Sequence, residues 1–272
     1  MKSVLPIGVF DSGVGGLSVL RDIRKELWNE DLLYVADSVH APYGDKSAEF
    51  IEARAISIAQ FLINQQVKAM VVACNTATSA AVAELRARFA VPIVAMEPAV
   101  KPAVEQTQSG VVGVLATRRT VSSENFLNLL ARFGAGVDIV VQPCPGLVEQ
   151  VESGDFTGDK TRSLVEQYVF PLLERGADTI VLGCTHYPFL QSLIQAMAGP
   201  GVAIIDPGEA IARELRRRLE HAGLLSSEER QGMEWFWTSD SPDNAQALVS
   251  QLWRADVEVR LLPEQYRKSS FS

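Results

Sequence analysis

Short runs of β-branched and other apolar residues recur along this chain, separated by stretches of helical length and periodicity. They lie at 5–10 (LPIGVF), 32–37, 69–74 and 92–95, then at 111–116, 137–142, 179–184 and 202–206, with a last pair at 234–238 and 257–262. Helical patterns fill 47–65, 76–88, 120–134, 160–176, 188–198, 207–222 and 242–254. A continuous apolar strand is buried on both faces, and a parallel neighbour requires a crossover, usually a helix. The alternation therefore predicts an α/β fold of mostly parallel sheets flanked by helices.

The strand runs also echo one another. IGVFDSG near the start resembles VGVLATR at 112–118, and AMVVACNTAT at 69–78 resembles TIVLGCTHYP at 179–188. Asp11 and Cys74 are 74 − 11 = 63 residues apart, and Thr117 and Cys184 are 184 − 117 = 67 apart. The echo predicts two similar lobes related by pseudo-twofold symmetry, one built from 1–98 plus 207–272 and the other from 99–206. A site is expected in the cleft between them, at the carboxyl ends of the strands, where open α/β sheets bind ligands.

Composition narrows the function. A formal net charge of −8 and a pI near 5.0 argue against nonspecific binding to nucleic acid or to an anionic membrane. An anionic ligand must then be held locally, by backbone N–H groups and hydroxyls. No apolar stretch reaches membrane-spanning length, and the first residues, MKSVLPIGVFDSG, lack the apolar core and cleavage site of a secretory signal. A cytoplasmic protein with reduced thiols is expected. Three widely spaced cysteines form no disulfide framework, and no CxxC or HxxxH pair suggests a metal site.

Cys74 and Cys184 each end an apolar strand and precede a helical pattern. Asn75 and Thr76 are good cap residues after the first, and Pro188 suits the first turn of a helix after the second. Both sulfurs are therefore expected near helix N-termini, which favour a thiolate. Taken singly, either cysteine is as well explained as core filler. Taken together, in matched halves, they offer an acid and a base for moving a proton from one face of a carbon to the other. His186 is either a polar cap or a proton holder for Cys184. Asp11 is either a turn residue before Gly13, Gly15 and Gly16, or a partner for Cys74 or a substrate ammonium. The glycines lack the Lys-Ser/Thr of a phosphate loop and the spacing of a dinucleotide fingerprint. Ala41-Pro42-Tyr43-Gly44 reads as a rigid turn first and a substrate wall second. Ser12, Asn75, Thr76, Thr117 and Thr185 place small polar groups at strand ends, able with helix N–H groups to hold carboxylates. Cys144 has no counterpart in the duplication and reads as structural.

FDSGVGGLSV at 10–19, DSVHAPYGDKS at 37–47, ACNTAT at 73–78 and GCTHYP at 183–188 resemble, in order and spacing, the motif set of the glutamate racemases, within the aspartate/glutamate racemase family. The resemblance spans nearly all of 5–222. It implies an enzyme without pyridoxal phosphate or metal that interconverts L- and D-glutamate and supplies D-glutamate for peptidoglycan, as a homodimer. It implies that Cys74 is the base for the D-enantiomer with Asp11 as its partner, and that Cys184 is the base for the L-enantiomer with His186 as its partner. Glu152, in VESG, resembles a further acidic residue near the site, with an exposed loop glutamate as the alternative. Asp11, Ser12, Pro42, Tyr43, Gly44, Asn75, Thr76, Thr117, Thr185 and His186 match substrate-contact positions. Related aspartate racemases carry an acid where this chain has His186, which favours glutamate. Three other readings compete: a racemase for another amino acid such as aspartate, a hydrolase with one cysteine nucleophile, and a non-catalytic binder of small anions.

Overall fold

A computed structural model describes residues 2–268. Ten strands occur among them: β1 (Ile7–Asp11), β2 (Leu32–Ala36), β3 (Ala69–Val72), β4 (Ile93–Ala95), β5 (Val111–Ala116), β6 (Asp138–Pro143), β7 (Thr179–Gly183), β8 (Ala203–Ile205), β9 (Glu234–Thr238) and β10 (Val259–Leu261). The helices are α1 (Leu17–Glu26), α2 (Ala48–Asn64), α3 (Asn75–Arg88), α4 (Val100–Gln106), α5 (Arg118–Val121), α6 (Glu124–Phe133), α7 (Leu147–Glu152), α8 (Asp159–Glu174), α9 (Gln191–Ala198), α10 (Gly208–His221), α11 (Pro242–Trp253) and α12 (Glu264–Arg267).

The chain separates into two compact units, Met1–Met96 with Gly208–Ser272, and Glu97–Pro207. In the first, a six-stranded sheet has the order β10-β9-β2-β1-β3-β4. In the second, a four-stranded sheet has the order β6-β5-β7-β8. All pairs in both sheets are parallel. The first four strands of each unit thus share one arrangement, with the second strand on one side of the first and the third on the other. The tail after residue 207 adds β9 and β10 to the free edge of β2.

Burial explains the apolar runs. Every residue of β1, β2, β3 and β7 is buried, because helices cover both faces. In the first unit Phe10, Val35 and Val72 meet Ile51, Ala55, Ile58 and Leu62 of α2 and Ala77, Ala81 and Leu85 of α3. In the second, Val112, Val114, Ala116 and Val181 pack with Val100 and Ala103 of α4 and Phe126 of α6.

Helix boundaries depart from the sequence pattern in two places. The helix expected over 120–134 is two, α5 and α6, because two hydroxyls cap in succession. Thr117 Oγ1 accepts the Thr120 N–H at 3.2 Å, and Ser123 Oγ accepts the Phe126 N–H at 3.2 Å. The helix expected over 188–198 is a 3-10 turn at Tyr187–Leu190 followed by α9. In addition, α1, α7 and α12 occupy intervals that the periodicity left unassigned.

One buried charge pair ties the amino end of the first sheet. Lys68, just before β3, pairs with Glu30, both side chains about 1% exposed. Lys68 Nζ also donates to the Ser3 carbonyl, and Glu30 Oε1 accepts the Ser226 N–H at 2.7 Å. Four segments distant in sequence, at Ser3, Glu30, Lys68 and Ser226, meet there. Removing one member of such a pair strands the other charge in the interior, which costs roughly 3–5 kcal/mol, whereas apolar replacement of both is often near neutral. Lys68→Met should therefore shift the urea unfolding midpoint far down, and Lys68→Met with Glu30→Leu should recover most of the loss. Equal midpoints for the single variant and wild type would show that the pair is not stabilising.

Candidate active site

In each sheet the chain leaves the first strand in one direction and the third in the other. This reversal lies between β1 and β3 in the first unit and between β5 and β7 in the second. At such a point adjacent crossovers diverge and open a crevice past the carboxyl ends of the strands. Asp11, Ser12 and Cys74 stand at the first, and Thr117, Thr185 and Cys184 at the second.

Cys74 follows β3 by two residues. Phe10 pairs with Val72, and the Ala73 N–H still reaches the Phe10 carbonyl at 2.8 Å. Cys74 then takes an extended conformation, φ −145° and ψ 116°, and its sulfur accepts the Ala77 N–H at 3.4 Å. The sequence assigns the cap to Asn75 or Thr76. In the structure the sulfur is itself the cap of the 14-residue α3, and those two residues open the helix. The N–H groups of the first turn and the helix dipole both favour negative charge at that sulfur.

Asp11, fully buried, closes the loop that follows β1. Its Oδ1 accepts from the Ser12 N–H at 2.6 Å and the Ser12 hydroxyl at 3.2 Å, and its Oδ2 accepts the Gly16 N–H at 2.5 Å. Cys74 Sγ lies 3.7 Å from Ser12 Oγ. The hydroxyl of Ser12 thus bridges the carboxylate and the thiol. Gly16 is required here, since a Cβ would come within 2.8 Å of the Asp11 Cβ.

The Pro42-Tyr43-Gly44 segment follows a cis Ala41–Pro42 bond and forms a short 3-10 turn at Tyr43–Asp45. Tyr43 is buried in the same cluster as Cys74. Its hydroxyl is already committed, donating to Asp37 Oδ2 at 2.5 Å. Burial, then the adjacent Asp37 charge, pushes the phenol well above its ordinary range. Asp37 in turn accepts from Arg54 Nε and Nη2, each at 2.9 Å, and lies 2.9 Å from His40 Nδ1. Burial alone would raise the Asp37 carboxyl, but the His40 and Arg54 hydrogen bonds outweigh it and hold it down at about 2.

Around Cys184 the electrostatics differ. Ala116 pairs with Gly183, so Cys184 comes one residue past the last pair. Only a four-residue 3-10 turn carrying Pro188 follows, and α9 begins at Gln191, so no full helix dipole points at this sulfur. A histidine takes that place. His186 Nδ1 lies 3.7 Å from Cys184 Sγ, and His186 Nε2 lies 2.6 Å from Glu152 Oε1. Glu152 ends α7 with a side chain 19% exposed, so it is a helix-end acid rather than a free loop residue. Burial would lower the imidazole, but the hydrogen bonds to Cys184 and Glu152 outweigh it and raise His186 well above its ordinary range. A buried imidazolium between a carboxylate and a sulfur stabilises a thiolate and is a ready proton donor.

The remaining candidates are placed as follows. Thr117 caps α5 and lies 3.0 Å from Thr120 Oγ1, and Thr185 is buried beside Cys184. Cys144 is buried, its thiol donating to the Gln142 carbonyl at 3.1 Å, and burial pushes it far up, which keeps it neutral. Asn75 is 3% exposed, yet neither its amide oxygen nor its nitrogen has a hydrogen-bond partner, and Thr78 Oγ1 is likewise buried and unpaired. Such groups are costly unless a ligand satisfies them.

Sequence reasoning did not single out Asp37, Arg54 or Thr78. Arg54 carried a usable signal, because it interrupts the apolar stripe of Ile51, Ala55, Ile58 and Leu62 and so needed a buried acid as partner. Among the described residues no group of three or more His, Cys, Asp or Glu is arranged to hold a metal ion. No helix among them is long and apolar enough to cross a membrane.

The sequence profile of the Asp/Glu/Hydantoin racemase family matches residues 7–215. The chain belongs to this family. It is 56% identical over 258 residues to a glutamate racemase of Methylococcus capsulatus, covering 95% of each chain. A crystal structure of a glutamate racemase isoform from Bacillus anthracis superposes with a TM-score of 0.87 at 32% identity, covering 96% of this chain and 98% of that one. The Escherichia coli glutamate racemase, solved with L-glutamate and the activator UDP-MurNAc-ala, matches with a TM-score of 0.83 at 34% identity over 94% of this chain and 97% of that one. Both crystal structures share the two parallel sheets flanked by helices.

Asp37 makes acid stability testable. Its carboxyl is held at about 2 against an ordinary 3.8, so its contribution is complete above the unfolded value and disappears as pH falls through about 2. A depression of that size corresponds to about 2 kcal/mol. The stability gap between wild type and Asp37→Asn should be constant from pH 5 to 7 and shrink by about 2 kcal/mol between pH 4 and 2, as read from denaturant midpoints. A gap independent of pH would mean that the charge of Asp37 is not what stabilises the network.

Proposed function

We propose that this protein is a glutamate racemase that uses two thiols, Cys74 and Cys184, to exchange the α-proton of glutamate with no cofactor, in the cytosol, as a homodimer, supplying D-glutamate for peptidoglycan. One thiolate takes the α-proton from one face, and the other thiol returns a proton to the opposite face. The single observation that carries the reading is that both family cysteines stand at strand ends beside the topological switch points, each with its own proton-handling partner. Relatives at more than half identity carry the same name.

The α-hydrogen of an amino acid is far less acidic than a thiol, so the carbanion-like transition state needs strong electrostatic support. On the Cys74 side that support is the α3 N-terminus and the Asp11–Ser12 bridge. On the Cys184 side it is the His186–Glu152 pair. Cys74 with Asp11 serves the D-enantiomer, and Cys184 with His186 and Glu152 serves the L-enantiomer. Ser12, Asn75, Thr76, Thr117 and Thr185 bind the carboxylates and the ammonium group, with the backbone of Pro42, Tyr43 and Gly44 as a wall. The Tyr43 hydroxyl is occupied by Asp37, so it contributes through its ring rather than as a donor to substrate.

Purified enzyme, freed of pyridoxal phosphate and treated with chelator, should racemise L-glutamate in deuterated water and place deuterium at the α-carbon of the product. Aspartate should react far more slowly. Cys74→Ala and Cys184→Ala should each lower racemisation by at least roughly 10²–10⁴-fold, the range for loss of an acid–base group, with unchanged circular dichroism. Activity retained by either variant rules out the two-thiol scheme, and a single essential cysteine points instead to a hydrolase.

Asn75 gives a separate test. Its amide is buried without a partner, so Asn75→Leu, of similar volume, should leave the melting temperature unchanged or raise it. The same substitution should weaken glutamate binding at least roughly tenfold, because a site built for a polar group discriminates strongly against its loss. Loss of stability together with unaltered KM would assign Asn75 a packing role.

A further inference from the structure

Arg54 lies on the buried face of α2, 1% exposed. On one side its guanidinium forks onto Asp37, with Nε donating to Oδ2 and Nη2 to Oδ1, each at 2.9 Å. On the other side it holds backbone. Nη2 donates to the Tyr266 carbonyl at 2.8 Å, and Nη1 donates to the Lys268 carbonyl at 3.0 Å. The segment that presents these carbonyls, α12 and Lys268, is itself fastened to α2. Asn64 Nδ2 donates to the Tyr266 hydroxyl at 2.5 Å, Ser57 Oγ donates to the Tyr266 carbonyl at 3.4 Å, and the Tyr266 ring meets the Phe61 ring edge-on at 5.4 Å.

Asp37 transmits this to the candidate site. The oxygen that takes Arg54 Nε also accepts the Tyr43 hydroxyl at 2.5 Å. The Tyr43–Asp45 turn packs on α3, whose cap is Cys74, and Tyr43 shares a buried cluster with that cysteine. An unbroken chain of hydrogen bonds therefore runs from the backbone at 266–268 through Arg54 and Asp37 to the wall beside Cys74. We infer that Arg54 is a positioning residue for proton transfer at Cys74, and that the 264–268 segment is the strap that holds it in place. Arginine is required because one planar group must grip a carboxylate with two parallel bonds and still reach two carbonyls, which a lysine ammonium cannot do.

This inference rests on the proposed two-thiol mechanism, in which Cys74 serves the D-enantiomer. Slack in the Tyr43 wall slows transfers at Cys74 and spares those at Cys184. With α-deuterated D-glutamate the isotope sits in the slowed step. With α-deuterated L-glutamate Cys184 removes the deuterium, and Cys74 delivers its own hydrogen.

The test compares wild type with a chain ended after Pro263 and with full-length Arg54→Lys. For both variants kcat should fall roughly 10–100-fold, the scale of a misplacement near 1 Å. The deuterium isotope effect on kcat/KM should rise for D-glutamate and fall toward unity for L-glutamate, while circular dichroism stays that of wild type. If the shortened chain does not fold, Arg54→Lys supplies the same two readings. Wild-type rates with unaltered isotope effects overturn the positioning role. So does a slower enzyme whose two isotope effects stay as in wild type, since that is general loosening. Racemisation that survives Cys74→Ala in the full-length chain overturns the two-thiol mechanism and this inference together.

Discussion

Parallel pairing of the first strand with the third, in each unit, is the constraint from which the rest follows. It puts β1 beside β3 and β5 beside β7, and it sends the connections on either side of each pair in opposite directions. Backbone N–H groups and strand-end side chains then converge past the carboxyl ends with no crossover to fill the space. Nothing about cysteine is needed to make such a place, which exists wherever this strand order occurs. What this sequence adds is a sulfur immediately beyond the third strand of each sheet.

The two sulfurs are placed alike but supported differently. Cys74 uses backbone: it caps a long helix and takes an N–H from its first turn, with Asp11 reaching it through Ser12. Cys184 is followed by a 3-10 turn too short to offer a comparable dipole, and a side-chain pair, His186 with Glu152, supplies the charge instead. Both devices set polar partners beside the sulfur, but they differ in proton inventory. A helix terminus holds no transferable proton, whereas an imidazolium does. Two sheets of the same strand order thus surround their cysteines with unlike chemistry.

The inner strands were legible because they are buried on both faces, and burial leaves continuous β-branched runs such as VVGVLA and TIVLG, whereas β6, β8, β9 and β10 are only partly covered and show through their apolar residues alone. The cysteines were legible for a related reason, since each ends such a run. The caps were not. Asn75 and Thr76 have better cap chemistry than a thiol, but the chain is still extended at Cys74, so the sulfur takes the cap position. Thr117 and Ser123 split one helical pattern into two because each hydroxyl meets the N–H three residues on, a local contact that periodicity ignores. The Glu152–His186 contact joins residues 34 positions apart and could be had from sequence only through family resemblance. Arg54 was visible as a charge on an apolar stripe, but its partner Asp37 depends on how α2 lies against β2.

Satisfied and unsatisfied polar groups divide the first unit by role. The Lys68–Glu30 pair at the amino end of the sheet and the Asp37–Arg54 pair at the carboxyl end are buried charges with bonds from several directions. Desolvation makes such pairs costly to break and leaves them one geometry, so they fix the segments that carry them. Asn75 and Thr78 lie one and four residues past Cys74, in the same interior, with no partner for their buried polar atoms. The Asp37 and Arg54 side chains each take part in four hydrogen bonds and those of Lys68 and Glu30 in two, whereas the Asn75 amide and the Thr78 hydroxyl, close behind a cysteine, are left bare. Their place at the start of α3 is what keeps those groups bare, because an amide in a pliable loop would turn to water or to its own backbone.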